Sequence, residues 1–488
     1  MSAASPTSIS RGAVLTISMR WTDRLIGFVS TLILARLLAP EDFGIIAMAS
    51  LVVGLADVFL NLGVNVALIQ NQDTTPSHYN TAWTLRLIQT AISAALLLVF
   101  SPFAAGYFGD PRVVPVLQLM ALGMLLVGLE NIGVITFQKE MRFGLDFRFM
   151  FLKRLVGFLV TILAAWLLRS YWALVLGALV GRAFGVMLSY QMHPMRPRLS
   201  FEKVKEIFSV SQWMLVNSIG SYLHLNLHKI LVGRRATTTI MGGYTLADEI
   251  SGMPTGEVLA PLNRVLFPAF VQVKHDLVEL KRIFLLAQGV QTLLAIPASV
   301  GLALVAREAV IVLLGEKWLF ISPYVQMLAL ASVIQAITTS GSYVMLTMGA
   351  HRAAAVITWV QVIFFMVAVF LVIPNSDALQ IASLRVVTVF AGLSLAVWML
   401  MRTLGNVSVT EIFFTILRPL LGTGLMTIAV LFVGSITQFN PGAALLLKVG
   451  TGLLTYPVAV VLMWGVAGKP AGAESYVLEK LTTLIYRK

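Results

Sequence analysis

Cysteine is absent from the 488 residues, which excludes a disulfide frame, a thiolate metal site and a cysteine nucleophile. Charge is scarce: only 12% of residues are Asp, Glu, Lys or Arg, about half the share of an ordinary soluble chain. With 58% hydrophobic residues and a mean hydropathy of +0.88, too little polar material remains for a wetted surface, so most of the surface must face lipid. Long polar stretches are also missing. No loop exceeds about twenty residues, the length of one membrane crossing, which leaves no room for a soluble catalytic domain. No P-loop, H-E-x-x-H or Gly-rich dinucleotide turn occurs, so the reading is a non-enzyme. Acidic residues are outnumbered, 22 against 35 Lys and Arg, for a net charge of +13. The basic residues fall in short runs between apolar segments, where topogenic charge sits, rather than in a nucleic-acid-binding patch. The N-terminus has no basic n-region or A-x-A site, and its first apolar stretch reads as an uncleaved helix.

A crossing takes roughly 20 helical residues. Fourteen segments qualify: 13–38, 44–69, 80–106, 113–137, 149–168, 171–190, 208–232, 241–267, 283–306, 322–347, 353–374, 378–400, 411–437 and 442–467. Pro, Gly or charge marks most breaks between them, as at Ala39-Pro40-Glu41-Asp42 and Gly109-Asp110-Pro111. With the N-terminus inside, the inner segments, including 138–154 and 191–206, hold 20 Lys and Arg. The outer ones, including 229–240 and 374–385, hold 9. The expectation is a multi-pass inner-membrane protein with both termini cytoplasmic.

The chain also resembles itself. Leu34-Ala35-Arg36 leads to Gly44 and Ala49 as Val232-Gly233-Arg234 leads to Gly242 and Ala247. Leu117-Gln118-Leu119-Met120-Ala121-Leu122 is echoed by Val325-Gln326-Met327-Leu328-Ala329-Leu330. The expected fold class is an all-α integral membrane protein of about fourteen transmembrane helices. Two pseudo-symmetric six-helix lobes, 1–190 and 208–400, surround a central cavity and are joined by a basic cytoplasmic linker, 191–207. Two further helices occupy 401–467. The tail, 468–488, reads either as an amphipathic helix on the inner leaflet or as a frayed end.

Chemistry must come from charge inside the spans: Arg20, Asp23, Arg24, Asp57, Arg86, Glu130, Arg182, Asp248, Glu249, Glu257, Arg418 and Lys448. At about 2.5–3.5 kcal/mol each for a central site, lipid exposure of all of them would exceed the stability of a typical fold. Most must therefore face one another or water, while Arg86, Arg418 and Lys448, near span ends, can snorkel. Thr16, Arg20, Asp23, Gly27 and Thr31 share one helical face, Asp57, Asn61 and Asn65 another, and Asn217, Ser221, His224 and His228 a third. Such stripes describe a wet cavity, or else a polar lock with Arg24 paired to Asp57 or Glu130. His224 and His228, one helical turn apart, lack a third metal ligand in the pattern and are able to change charge near neutral pH.

Ile33 to Ala49, ILARLLAPEDFGIIAMA, resembles the signature of the polysaccharide transporter family of the MOP superfamily, the Wzx-type flippases that include the colanic acid exporters. Gly233-Arg234, Gly242 to Ala247, Asn263 to Pro268, Arg196-Pro197-Arg198 and Gln138 to Phe143 resemble it too, and the likeness spans about 10–400. The resemblance implies ion-coupled alternating access that carries polyprenyl-pyrophosphate-linked oligosaccharide across the inner membrane. A polysaccharide polymerase and a chain-length regulator are the partners it suggests. The alternative is a cation-coupled multidrug exporter of the same superfamily; a membrane polymerase or glycosyltransferase fits poorly without a large outer loop. The expected cargo-binding residues are Arg20, Arg24, Arg182, Arg234, Arg235, His224 and His228, guanidinium forks being suited to phosphate oxygens. Asp23, Asp57, Glu130, Glu249 and Glu257 are charge partners or couple Na⁺ or H⁺, with no other cofactor. Where the family often carries Asp in the seventh helix, this chain has Asn226-Leu227-His228, so coupling differs here or His228 meets a more acidic glycan.

Overall fold

A computed structural model describes residues 6–60, 68–69, 73–207, 212–436 and 440–485, with the side chains of 6–20 and a few others left out. The described residues are mostly helical, with no strand among them. In chain order they form α1 (Pro6–Leu37), α2 (Pro40–Leu60), α3 (Pro76–Phe108), α4 (Val113–Leu129), α5 (Ile135–Lys139), α6 (Phe143–Leu168) and α7 (Trp172–Met192). The short α8 (Val204–Ile207), α9 (Gln212–Arg235), α10 (Thr238–Gln272), α11 (Leu277–Leu304) and α12 (Ala306–Leu313) follow. The chain ends with α13 (Ser322–Thr347), α14 (His351–Val367), α15 (Ala378–Leu404), α16 (Val409–Ile436), α17 (Pro441–Val466) and α18 (Ala473–Ile485). The described part of each of the fourteen expected segments falls on a helix, or on α4 and α5 together, whereas 61–67, 208–211 and 437 lie outside the described residues. Nine described spans are long and apolar enough to cross a membrane, or ten if α4 and the stretch to Lys139, bent by 65°, make one. The expected count of fourteen crossings is not confirmed among the described residues; the first, second and seventh expected segments, on α1, α2 and α9, carry the polar stripes.

Local chemistry sets the ends. Pro76 opens α3 where a missing N–H costs nothing, and Gly109, at φ +73°, closes it with its N–H on the Ala105 carbonyl at 2.8 Å. Asp377 and Gln380 cap α15 reciprocally. Apolar side chains outside the packed seams face outward: Leu453, Leu454 and Val466 on α17 are 70, 71 and 91% exposed, which suits lipid rather than water.

The chain forms two compact units. The first contains residues 1–222 and 233–242, so the tip of the α9–α10 hairpin belongs to it. Within this unit α6 and α7 approach backbone to backbone, because Gly157, Gly177 and Gly181 carry no Cβ in the seam. Segment 193–207, most of the expected linker 191–207, is strapped along α3. Arg198 N–H donates to Asn80 Oδ1 and Ser200 N–H to Thr84 Oγ1, both at 3.0 Å, and His78 Nε2 meets Glu206 Oε2 at 2.9 Å. Hydrogen bonds from Lys203 and His78 hold the Glu206 carboxyl below the usual carboxylate range. The second unit, 223–232 with 243–488, is centred on Leu266, Phe270, Leu280, Phe284, Leu400 and Ile412. Residues 473–485 of the tail are a helix. Its first turn is anchored by Glu474, 2.8 Å from Arg418, and by Ala473 against Gly289.

Candidate functional site

In the first unit the charges expected inside the spans find partners that the sequence pattern did not name. Lys153 and Arg154 were expected in an inner segment, but α6 begins at Phe143, so both lie about three turns inside it. Lys153 Nζ reaches Glu130 Oε2 at 2.6 Å, its stem lying where a Cβ on Gly185 would collide. Glu130 is 5% exposed and stands at the α4 break, with Arg86 close enough to attract it. The next residue fixes the break. Asn131, fully buried, accepts from Gly133 N–H at 2.9 Å and donates to the Met195 carbonyl at 2.8 Å. Arg154 meets Asp23 at 3.3 Å, with both side chains more than half exposed. Glu130 thus pairs with Lys153, a partner that the sequence pattern did not name. Asp57 is exposed, and Arg182 attracts it from over Gly123. Arg24 is exposed; the side chain of Arg20, and Asn61 and Asn65 entirely, lie outside the described residues.

At the hairpin tip the internal repeat becomes a contact. A Cβ on Gly44 would meet the Thr238 carbonyl, and a Cβ on Gly242 would meet the Pro40 carbonyl. Thr238 precedes Gly242 as Pro40 precedes Gly44, so the two copies touch reciprocally, as across a local two-fold axis. Only glycine permits that approach. Arg234 is drawn into the same tip, donating to the Tyr107 carbonyl at 2.7 Å with its guanidinium 5.5 Å from the Tyr107 ring, while Arg235 lies half-buried beside it. Thr238 donates to Asp110 Oδ2 at 2.9 Å.

The second unit holds a polar cleft of about 460 Å³ among α9, α10, α13 and α15. Asn226, Lys229, Asp248, Asn263, Gln335 and Arg385 supply much of its polar lining. Arg385, counted in the sequence as part of an outer segment, lies two turns into α15, 9% exposed, and donates to the His224 carbonyl at 2.8 Å. Lys229 pairs with Asp248 at 3.0 Å. His228 is buried behind the cleft rather than on it: Nε2–H donates to the Leu225 carbonyl at 3.0 Å, so Nδ1 accepts from the Tyr244 hydroxyl at 2.8 Å. Glu249 is exposed on α10, and the side chain of Glu257 lies outside the described residues. Among the described residues no group of three metal-ligating side chains occurs. Lys448 pairs with Glu308 at 2.7 Å and Arg418 with Glu474.

Sequence reasoning missed Lys153, Arg154, Lys229 and Arg385. Helical spacing carried a signal for two of them. Lys153, Gly157 and Thr161 share the α7-facing side of α6, and Arg385, Thr388, Gly392 and Ala396 share the buried side of α15.

The profile of the family described as polysaccharide biosynthesis protein matches residues 33–323. The chain belongs to that family. Relatives of this polysaccharide biosynthesis protein include the lipopolysaccharide biosynthesis protein WzxC of Escherichia coli, 25% identical over 64% of each chain. The succinoglycan biosynthesis transport protein ExoT of Rhizobium meliloti is 26% identical over 68% of this chain and 67% of its own. Among solved structures the fold is similar to that of the lipid II flippase MurJ in an inward closed conformation, with TM-score 0.73 and 10% identity. That likeness covers 93% of this chain and 99% of that one. At that identity it is one of fold. The family member described here is thus a multi-pass, helical membrane protein.

Proposed function

We propose that this protein flips lipid-linked oligosaccharide, on a polyprenyl-pyrophosphate carrier, across the bacterial inner membrane by alternating access, without chemistry on the cargo. The observation that carries this reading is the placement of ionisable groups on helices of membrane-crossing length, uncovered (Asp23, Arg24, Asp57) or lining a 460 Å³ cleft (Lys229, Asp248, Arg385). Charge is kept at that depth when it faces a polar cargo or water. Family membership, and a relative named as a succinoglycan transport protein, support the choice of cargo. Cytoplasmic termini follow from the distribution of Lys and Arg, Na⁺ or H⁺ is the coupling ion, and a polymerase and a chain-length regulator receive the product.

The test is complementation of a deletion strain with surface polysaccharide as the readout. Wild type restores polymer, whereas Arg24→Ala and Arg182→Ala reach the membrane without restoring it. Normal polymer in the deletion strain, together with altered drug susceptibility, would replace this reading with that of a drug exporter.

A further inference from the structure

The second-unit cleft has a charge balance that points to a particular ligand. Among the described residues its ionisable lining groups are Lys229, Arg385 and Asp248: two cations to one carboxylate. A net positive charge held within helices of membrane-crossing length is costly until an anion neutralises it. The neutral lining also favours acceptors. Ser340 Oγ donates to Gln291 Oε1, and Gln291 Nε2 donates to Asn263 Oδ1 at 2.8 Å. Both Ser340 and Gln291 are fully buried, so this relay turns the Asn263 amide until its N–H donors are what remain for the cleft. Gln335, Thr339 and Ser332 add groups suited to sugar hydroxyls. A Cβ on Gly252, in the wall, would meet nothing within 4 Å, so the space is open there. The volume lies in the range of small-ligand sites.

We propose that this cleft is a subsite for an acidic sugar of the cargo head, its carboxylate received by Arg385 and Lys229. A sugar carboxylate offers both cations a charge-assisted contact that a neutral sugar cannot. Asp248 is a positioning residue that holds Lys229 in place between cargoes. The proposal deepens the flippase reading and rests on it.

The test uses the full chain in phosphatidylethanolamine–phosphatidylglycerol vesicles. Two short-chain polyprenyl-diphosphate trisaccharide probes are compared, identical except that one ends in glucuronate and the other in glucose. Wild type moves the glucuronate probe about tenfold faster, the gain expected of one charge-assisted contact. Arg385→Gln and, separately, Lys229→Gln bring the ratio toward one, whatever the absolute rates. Asp248→Asn, which leaves both cations unopposed, raises it. Equal wild-type rates for the two probes, or a ratio that survives both glutamine variants, overturn the subsite and leave the flippase standing. Failure of wild type to move either probe overturns both.

Discussion

Replacing Lys153 with Met keeps the length of the side chain and removes its charge, so the effect reports on what the ammonium does for Glu130. The two charges stand 2.6 Å apart, with Glu130 7% and Lys153 26% exposed. Stranding a fully buried partner of such a pair costs about 3–5 kcal/mol. Lys153 is a quarter exposed and Arg86 also attracts Glu130, so the expected loss is at the lower end, about 2–3 kcal/mol. Glu130→Gln costs less, because the lysine it leaves behind can reach water. The double variant Lys153→Met with Glu130→Gln carries no stranded carboxylate. It is therefore more stable than Lys153→Met alone, with a coupling energy of at least about 1 kcal/mol. Equilibrium unfolding of the purified chain in mixed dodecylmaltoside–SDS micelles, followed through its nine tryptophans, measures all three. Additive losses, or a Lys153→Met loss under about 0.5 kcal/mol, which is the scale of an ordinary surface change, would refute the pairing argument.

Three further outcomes follow from the same geometry. Asn131→Ala removes the amide that ties the α4 break to the strap, for a loss of about 2 kcal/mol, and limited trypsinolysis after Arg198 accelerates. Gly242→Val drives a side chain into the Pro40 carbonyl and abolishes transport, whereas Gly106→Ala, whose Cβ meets nothing within 4 Å, is neutral or mildly stabilising in thermal unfolding. Asp110, in the loop after α3, has its carboxyl held below the usual range, chiefly by the Arg112 hydrogen bond. A depressed folded-state value gives stability that is present above the unfolded value near pH 4 and lost as pH falls through the folded one. The gap in melting temperature between wild type and Asp110→Asn therefore stays constant above about pH 5 and closes below pH 4.

Hydropathy placed every long helix, because burial of an unbroken backbone in hydrocarbon is a property of local sequence. Pro76, Gly109, Asp377 and Gly405 mark helix ends for reasons visible in one dimension: fixed φ, left-handed φ or a capping side chain. The internal repeat was legible too, and the reciprocal approach of Gly44 and Gly242 is its spatial counterpart. The site was less legible. Its charges were located along the chain, but their pairing depends on rotation and depth, and Lys153 and Arg154 were hidden by being counted with the inner segment 138–154 although both lie well inside α6.

By itself, the sequence determined that this chain is a membrane-embedded helical protein of the polysaccharide biosynthesis family, since hydropathy, breakers and signature residues act locally or by direct likeness. Only the tertiary structure decided which carboxylate meets which cation, that segment 193–207 is a strap, and that Arg385 turns into a cleft with Lys229 and Asp248. Those outcomes depend on how neighbouring helices face one another, and periodicity along a single helix leaves that angle open.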